Sequence, residues 1–200
     1  MPTSQQKPYH HGDLRAALLQ EAESALREVG VERLSLREVS RAVGVSNGAP
    51  RRHFRSKEEM LDSLAAVGFS RLGAAIRSVS LAPERSFRER FAELAAAHFA
   101  FARENMALME LMFSRKLAQH DSTDLAEKAY EAYKPSLDLI VTGQAEGTVV
   151  AGDPVQISLT FFATIQGLAG LAASGMVDQE IVTNALDAAV RLYLDGITPR

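Results

Sequence analysis

The chain has 200 residues, 46% of them hydrophobic and 24% charged, enough for one compact unit or a small head on a larger body. It contains no cysteine, which excludes a disulfide framework and a thiolate metal site. Its first residues, MPTSQQKPYHHGD, hold no apolar stretch of the kind found in secretory signals. We therefore expect a cytoplasmic protein.

The formal net charge of −3 conceals an uneven distribution along the chain. Residues 1–57 carry ten Lys or Arg against six Asp or Glu, a net +4, which leaves −7 for the remainder. Within residues 35–57, six basic residues accompany a single acidic one. A basic head on an acidic body predicts a polyanionic partner for the head alone.

Helical patterns run through the chain, and no alternating run of β-branched residues predicts a strand. In the first helix, apolar residues recur at helical spacing from Leu14 to Val29. Asp13 is its expected N-cap and Gly30 its expected end. A second helix begins at the capping box of Ser35 and Glu38.

Gly44 is expected to end the second helix, because glycine readily takes the left-handed conformation that turns the chain. A third, short helix follows, with either Ser46 or Asn47 as its N-cap. Pro50 fits the first turn of this helix, and one hydrogen bond is lost only if Ser46 is the cap. Helix, glycine turn and short helix have the spacing of a helix-turn-helix, whose second helix enters the major groove of DNA.

The chemistry of the short helix suits DNA. Gly48 and Ala49 are small enough for the backbone to approach a base edge or a thymine methyl group. Arg51 and Arg52 can reach phosphates or pair with guanine, and His53 can bind phosphate. The alternative interpretation is a solvated basic surface between two ordinary helices.

Two stretches, YHHGDLRAALLQEAESALREVG and LSLREVSRAVGVSNGAPRRHFRSKEEML, resemble the N-terminal DNA-binding domain of TetR-family transcriptional regulators over residues 9–61. The resemblance implies an all-α fold in which three N-terminal helices bind DNA. A fourth helix links them to a divergent body that binds a ligand and dimerises. By this resemblance, the positions of Ser46, His53 and Lys57 contact phosphate, and those of Asn47, Gly48 and Ala49 face bases. The predicted DNA contacts are Arg37, Ser46, Asn47, Gly48, Ala49, Arg51, Arg52, His53 and Lys57.

One residue departs from the family pattern. The family usually has tyrosine, in the order Tyr-x-His-Phe, where this chain has Arg51. That tyrosine offers its hydroxyl to a phosphate, whereas an arginine brings a full charge. We expect the change to raise non-specific affinity for DNA and its dependence on salt.

The remainder of the chain continues as helices, for a total of about nine. A capping box of Ser56 and Glu59 opens the fourth helix, and Pro83 is the expected first-turn residue of the fifth. Further helices are predicted over 106–113, over 123–143, from Asp153 and from Asp178. We assign residues 9–57 to a DNA-binding domain with its motif at 35–54, and residues 58–200 to a ligand-binding and dimerisation domain.

No charged residue lies between Asp153 and Asp178, so this helix is nearly apolar enough to span a bilayer. Threonines and a glutamine interrupt it, and no Lys or Arg flanks it closely, which favours burial in a core or a subunit interface. Its small residues form a smooth face for close packing. In the last helix, the residues expected to face inward are Ile181, Leu186 or Ala185, Ala189, Leu192 and Tyr193. The predicted interface of a homodimer comprises Gly167, Gly170, Ala173, Ala189 and Leu192.

A pocket for a small molecule, if present, is expected among the middle helices. Methionine and aromatic side chains suit an adaptable apolar ligand, although the same residues also serve as ordinary core. The predicted ligand contacts are His98, Phe101, Met109, Met112, Phe113, Tyr130, Tyr133, Phe161 and Ile165. The stretch LTFFATIQGLAGL is weakly similar to a C-terminal subclass of the family and does not identify the ligand.

Enzymatic motifs are missing from the sequence. None of the five histidines has a glutamate three residues before it, as a di-iron bundle requires, and there is no Gly-x-Ser-x-Gly elbow and no P-loop. We therefore predict a protein without catalytic residues, metal or cofactor.

The predicted function is a ligand-responsive repressor. A homodimer would place its recognition helices in successive major grooves of a near-palindromic operator, roughly 34–36 Å apart. A helical small-molecule-binding protein without DNA binding is the alternative.

Overall fold

A computed structural model describes residues 11–46, 48–79, 85–117 and 123–199. Over these residues the protein consists of eight α-helices and one 3-10 turn, with no strand. The elements are α1 (His11–Arg33), α2 (Leu36–Val43), the 3-10 turn (Pro50–Arg52), α3 (Lys57–Val79), α4 (Phe87–Glu104), α5 (Met106–Leu117), α6 (Thr123–Ala145), α7 (Pro154–Ser174) and α8 (Gln179–Ile197). The all-α prediction is confirmed, and an element occurs at each of the nine predicted places.

The head comprises α1, α2, the 3-10 turn and the beginning of α3. Gly30 has a φ of 75°, which breaks the regular helix of α1 where the sequence predicts its end, although three further residues are helical. α1 begins at His11, so the prediction of Asp13 as N-cap is wrong. The buried residues that hold the head together are Leu18, Leu19, Ala22, Leu26, Leu34, Val39, Pro50 and Phe54.

The body is built around α3, which packs against α4, α5 and α6, while α7 covers α4 and α8 covers α7. Phe91 on α4 joins these layers, since its ring lies 4.4 Å from that of Phe161 on α7 and 5.4 Å from that of Tyr193 on α8, centroid to centroid. The Tyr193 hydroxyl also donates to the carbonyl of Ile157. The aromatic cluster therefore fixes α7 and α8 on the body.

A polar link connects the head to the body. The Glu23 carboxylate on α1 accepts hydrogen bonds from Arg71 on α3 at 2.8 and 2.9 Å and from Arg27 at 2.6 Å. Arg71 also donates to the side-chain oxygen of Asn105, at the junction of α4 and α5, at 3.0 Å. Burial acts to raise the pKa of Glu23, but the hydrogen bonds from Arg71 and Arg27 outweigh it and hold that pKa below its ordinary value.

α4 begins later than the sequence suggests. Its N-cap is Ser86, whose hydroxyl accepts from the backbone N–H of Glu89 while the Glu89 carboxylate accepts from the N–H of Ser86. The prediction of Pro83 as the first-turn residue is wrong, because this capping box satisfies two free N–H groups at once. Pro83 itself lies outside the described residues.

α7 passes the length and hydropathy test for a membrane span, with a mean hydropathy of 1.4, and 17% of that window is buried. It is the one such helix in the described part of the chain. Thr160 and Thr164 donate their hydroxyls to carbonyls of their own helix. One weakly apolar helix of this kind does not indicate a membrane protein.

Candidate DNA-binding surface and ligand cavity

The turn between α2 and the 3-10 turn depends on Gly44, which has a φ of 76° and a ψ of 26°. Its N–H donates to the carbonyl of Arg41 at 3.1 Å, and the N–H of Val45 donates to Ser40 at 3.0 Å. This pair of bonds is a Schellman motif, which leaves the chain pointing away from the axis of α2. The predicted glycine turn is therefore confirmed.

The predicted third helix is shorter than expected. The N–H of Ala49 donates to the carbonyl of Ser46 at 3.0 Å, and the N–H groups of His53 and Phe54 donate to the carbonyl of Pro50 at 2.8 Å. Only Pro50–Arg52 is helical, as a 3-10 turn. Ala49 takes the N-cap position and its side chain makes no capping bond, so Ser46 is not the cap. Proline at the first position explains this start, because it has no N–H to satisfy.

Phe54 anchors the end of this segment in the core of the head. Its side chain is 1% exposed, and the guanidinium of Arg15 lies 5.3 Å from its ring centroid, within cation–π range. Pro50 is also buried. With positions 50 and 54 held inside, the intervening Arg51 and Arg52 are both exposed.

Between residues 37 and 55 the surface of the head carries five exposed arginines. None of them belongs to an ion pair among the described residues. We call this set the arginine surface, and it consists of Arg37, Arg41, Arg51, Arg52 and Arg55. Unpaired, solvated guanidinium groups are available to bind phosphates.

Two members of the arginine surface, Arg41 and Arg55, are not among the DNA contacts predicted from the sequence. Arg41 lies one turn after Arg37 on α2, and both border a shallow depression with Val45 and Ser46. The helical spacing of the two arginines is the sequence signal that would have placed Arg41 beside Arg37 on one surface.

The other predicted DNA contacts lie along the same surface. Ser46 and Gly48 are exposed, and a methyl group added at Gly48 would meet nothing within 4 Å. Ala49 and His53 are half-buried, and Asn47 lies outside the described residues. Lys57 is half-buried as well.

Lys57 already has a partner inside the head. Its ammonium group donates to the carbonyl of Glu32 at 3.2 Å, near the end of α1. An ammonium group has three donors, so this bond leaves two for other partners. Its predicted phosphate contact stays a prediction.

A cavity of about 230 Å³ lies in the body between α4, α6 and α7. The residues that line it are Phe91, Leu94, His98, Tyr133, Ser136, Leu137, Ile140, Val155, Ser158, Leu159, Phe161 and Phe162. Val155 and Leu159, although apolar, are 56% and 60% exposed, which places them at the mouth of the cavity. An apolar cavity with a few polar groups is typical of a small-molecule site.

Two of the lining side chains carry buried polar atoms. The Nε2 atom of His98 and the hydroxyl of Tyr133 have no hydrogen-bond partner within the described residues. Burial lowers the pKa of His98 to about 4 and raises the pKa of Tyr133. Both side chains are therefore uncharged at neutral pH.

Of the nine predicted ligand contacts, His98, Tyr133 and Phe161 line this cavity. Phe113 does not line it but contacts Phe162, with ring centroids 5.3 Å apart. The remaining five lie elsewhere: Phe101, Met109, Met112 and Ile165 are buried in the core, and Tyr130 is 60% exposed.

The predicted dimer residues lie on α7 and α8. Gly167 and Ala173 are exposed, and Gly170 and Ala189 are half-buried. Leu192 is 74% exposed and Ile181 56%, so the expectation that α8 turns these two side chains inward is wrong. Leu186 is buried as predicted, and Val182, Val190 and Leu194 are also buried on the inward face of α8.

Comparisons with known proteins cover both parts of the chain. The family model described as bacterial regulatory proteins, tetR family, matches residues 18–64, and the model described as tetracyclin repressor-like, C-terminal domain, matches residues 91–196. A curated relative, the HTH-type transcriptional regulator BetI of Pectobacterium carotovorum, is 30% identical over 97 residues. That match includes 48% of this chain, and the chain spans about half (50%) of the relative's length.

Solved structures share the whole fold. A protein of unknown function from Rhodococcus sp. RHA1 superposes with a TM-score of 0.87 at 39% identity, over 97% of this chain and 100% of the other. A TetR family transcription regulator from Marinobacter aquaeolei VT8 superposes with a TM-score of 0.76 at 16% identity, over 93% and 96%. Because the two family models match head and body in the order in which the structure places them, the chain belongs to the TetR family of bacterial transcriptional regulators.

Proposed function

We propose that this TetR-family regulator is a cytoplasmic repressor that binds a near-palindromic operator as a homodimer and leaves it when a small molecule enters the body cavity. Residues 9–57 would form the DNA-binding domain, with its motif at 35–54, and residues 58–200 the ligand-binding and dimerisation domain. The observation that carries the proposal is the arginine surface, whose cations have no acidic partner within the described residues.

The shape of the head supports binding in the major groove. Buried Pro50 and Phe54 hold the 3-10 turn so that Arg51 and Arg52 project from it. The space around Gly48 lets the backbone approach a base edge closely. Arg37 would bind the neighbouring phosphates from α2.

The exposed apolar residues of α7 and α8 support the homodimer. On α8, Ile181, Ala185, Ala188 and Leu192 recur at the spacing of one helix face, and the two large members are more than half exposed. Exposed large apolar side chains on one face favour a protein interface. We propose an isologous interface that also includes Gly167, Gly170, Ala173 and Ala189.

The link of Glu23, Arg71 and Asn105 supports coupling between the cavity and the head. It joins α1 of the head to the junction of α4 and α5, and α4 contributes Phe91 and His98 to the cavity. A ligand that shifts α4 would thereby change the position of α1. Ligand and operator would then oppose each other through one coupling free energy.

The direct test is selection of bound sequences from random double-stranded DNA, followed by measurement of affinity as a function of salt. We expect enriched sequences with two-fold symmetry and a Kd that rises steeply with salt. If no sequence is enriched, the protein is a helical small-molecule-binding protein without DNA binding.

A single substitution tests the arginine surface. Arg52→Ala should weaken operator binding by about 1–3 kcal/mol if the side chain reads a base. Arg103→Ala, which removes an exposed arginine near the end of α4, is the matched control and should leave affinity unchanged. Equal affinities of the Arg52→Ala variant and the unmodified protein at moderate salt would refute the assignment.

A further inference from the structure

We propose that the body cavity selects an uncharged, ring-containing molecule that carries one polar group able to pair with Tyr133 and His98. The inference rests on the proposed function, because it names the chemical class of the effector for the same cavity.

The size of the cavity sets the size of the ligand. Its volume is about 230 Å³. An engineered apolar cavity of about 150 Å³ holds one benzene molecule. This cavity therefore has room for a substituted ring or two fused rings.

The walls favour flat rings. Phe162 borders the cavity and stands edge-on to Tyr133, with ring centroids 5.0 Å apart and planes at 83°. It also contacts His98 at 5.0 Å and Phe113 at 5.3 Å, so neighbouring rings hold its orientation. Aromatic pairs gain stability in offset or edge-on arrangements, which a ring-containing ligand can adopt against such walls.

The lining offers no charge to an ionised ligand. None of the described residues that line the cavity is Asp, Glu, Lys or Arg. Because burial lowers the pKa of His98 to about 4, its ring is neutral at physiological pH, and Tyr133 is neutral too because burial raises its pKa. An ionised ligand group would lose its hydration here without gaining a counter-charge.

Two orphaned polar atoms in the cavity lining favour a ligand that carries one polar group. The Nε2 atom of His98 and the hydroxyl of Tyr133 are buried without partners in the described structure, and both side chains border the cavity. The Ser158 hydroxyl already donates to the carbonyl of Pro154 at 2.8 Å. A ligand hydroxyl can both donate and accept, and so can pair with both orphaned groups.

The experiment compares three molecules of matched size with the full-length protein: naphthol, naphthalene and naphthoate. Their Kd values are measured by the fluorescence of the naphthyl group at neutral pH. We expect naphthol to bind roughly tenfold more tightly than naphthalene, because it satisfies the buried groups. Naphthoate should bind at least about a hundredfold more weakly than naphthol, because of its uncompensated charge.

A pair of matched variants locates the polar contact. Tyr133→Phe should reduce the preference for naphthol over naphthalene to about threefold or less. Tyr130→Phe removes a hydroxyl from the same helix at a side chain that is 60% exposed, and it should keep the full preference.

Three results would overturn the inference: naphthoate binding as tightly as naphthol, equal binding of naphthol and naphthalene, or binding of none of the three. Binding of the enriched DNA is measured in parallel. If naphthol binds but does not release the DNA, the effector role fails and the ligand class stands. If no naphthyl compound binds while the DNA does, the ligand class fails and the DNA-binding function stands.

Discussion

Replacement of His98 by phenylalanine should remove much of the acid sensitivity of the fold. His98 lies on α4, is 3% exposed and has no hydrogen-bond partner for Nε2 among the described residues. Burial lowers its pKa to about 4, whereas the same side chain in the unfolded chain takes up a proton near 6.5. Between these two values the unfolded state binds more protons than the folded state, so stability must fall as the pH falls.

The size of the effect follows from the two pKa values. From about pH 7 to about pH 5, the difference in proton uptake lowers the free energy of unfolding by about 2 kcal/mol in the unmodified protein. The loss begins near pH 6.5 and is complete near pH 4. Phenylalanine does not titrate, so His98→Phe should lack this contribution at every pH.

The assay is urea unfolding of both proteins at the two pH values and at one protein concentration. Carboxylates such as Glu23, whose lowered pKa also costs stability in acid, contribute to both proteins alike and cancel in the comparison. Leu94→Ala, at another buried position that borders the cavity, is the control, because it lowers stability without removing a titrating group. If His98→Phe and the unmodified protein lose the same stability between the two pH values, the reasoning from burial is refuted.

Three further substitutions test the head, the interface and the core. Arg51→Tyr should lower the salt slope of operator binding by about 2 per dimer, one phosphate contact per subunit; an unchanged slope would show that Arg51 does not bind phosphate. Leu192→Glu should yield monomers in sedimentation experiments, because it places a charge on a side chain that is 74% exposed and proposed to face the partner, and a persistent dimer would contradict the interface. Gly143→Ala should lower the free energy of unfolding by about 1–3 kcal/mol, because its new Cβ would lie 2.6 Å from Val149. Gly196→Ala is the control and should leave the free energy of unfolding unchanged, because its new Cβ would meet nothing within 4 Å. Equal urea midpoints of the two variants would exclude the clash.

Periodicity and capping predicted the helices well because these signals are local. The face of α4 is an example: Phe87, Phe91, His98 and Phe101, which recur at helical spacing, are all buried. The prediction of the third helix was the least accurate. Pro50 begins a 3-10 turn there, and Ala49, which has no capping side chain, takes the N-cap position. Residues that could each begin a helix compete when they lie a few positions apart, and the start that is used becomes clear only in the folded structure.

The predictions for the body depended on whether each helix face meets the core of the same chain or points outward. The sequence marks Leu192 as apolar, but nothing local tells whether an apolar side chain turns into its own core or outward. Val155 and Leu159 at the cavity mouth cannot be predicted from the sequence for a similar reason, because a cavity results from the spacing between helices rather than from any one of them. His98 was predicted only as one of a set of apolar and aromatic candidates that could equally serve as ordinary core.

The continuity of α3 limits how this protein can be recombined with its relatives. The helix begins at Lys57, next to the proposed domain boundary, and supplies Arg71 to the glutamate of α1 about 21 Å further along its axis. A chimera that joins a foreign head at residue 57 would therefore leave Arg71 without Glu23 unless the new α1 brings an acid to the same place. Head and body are thus exchangeable only as parts that carry matched charges, which restricts the modular use of this regulator in engineered circuits.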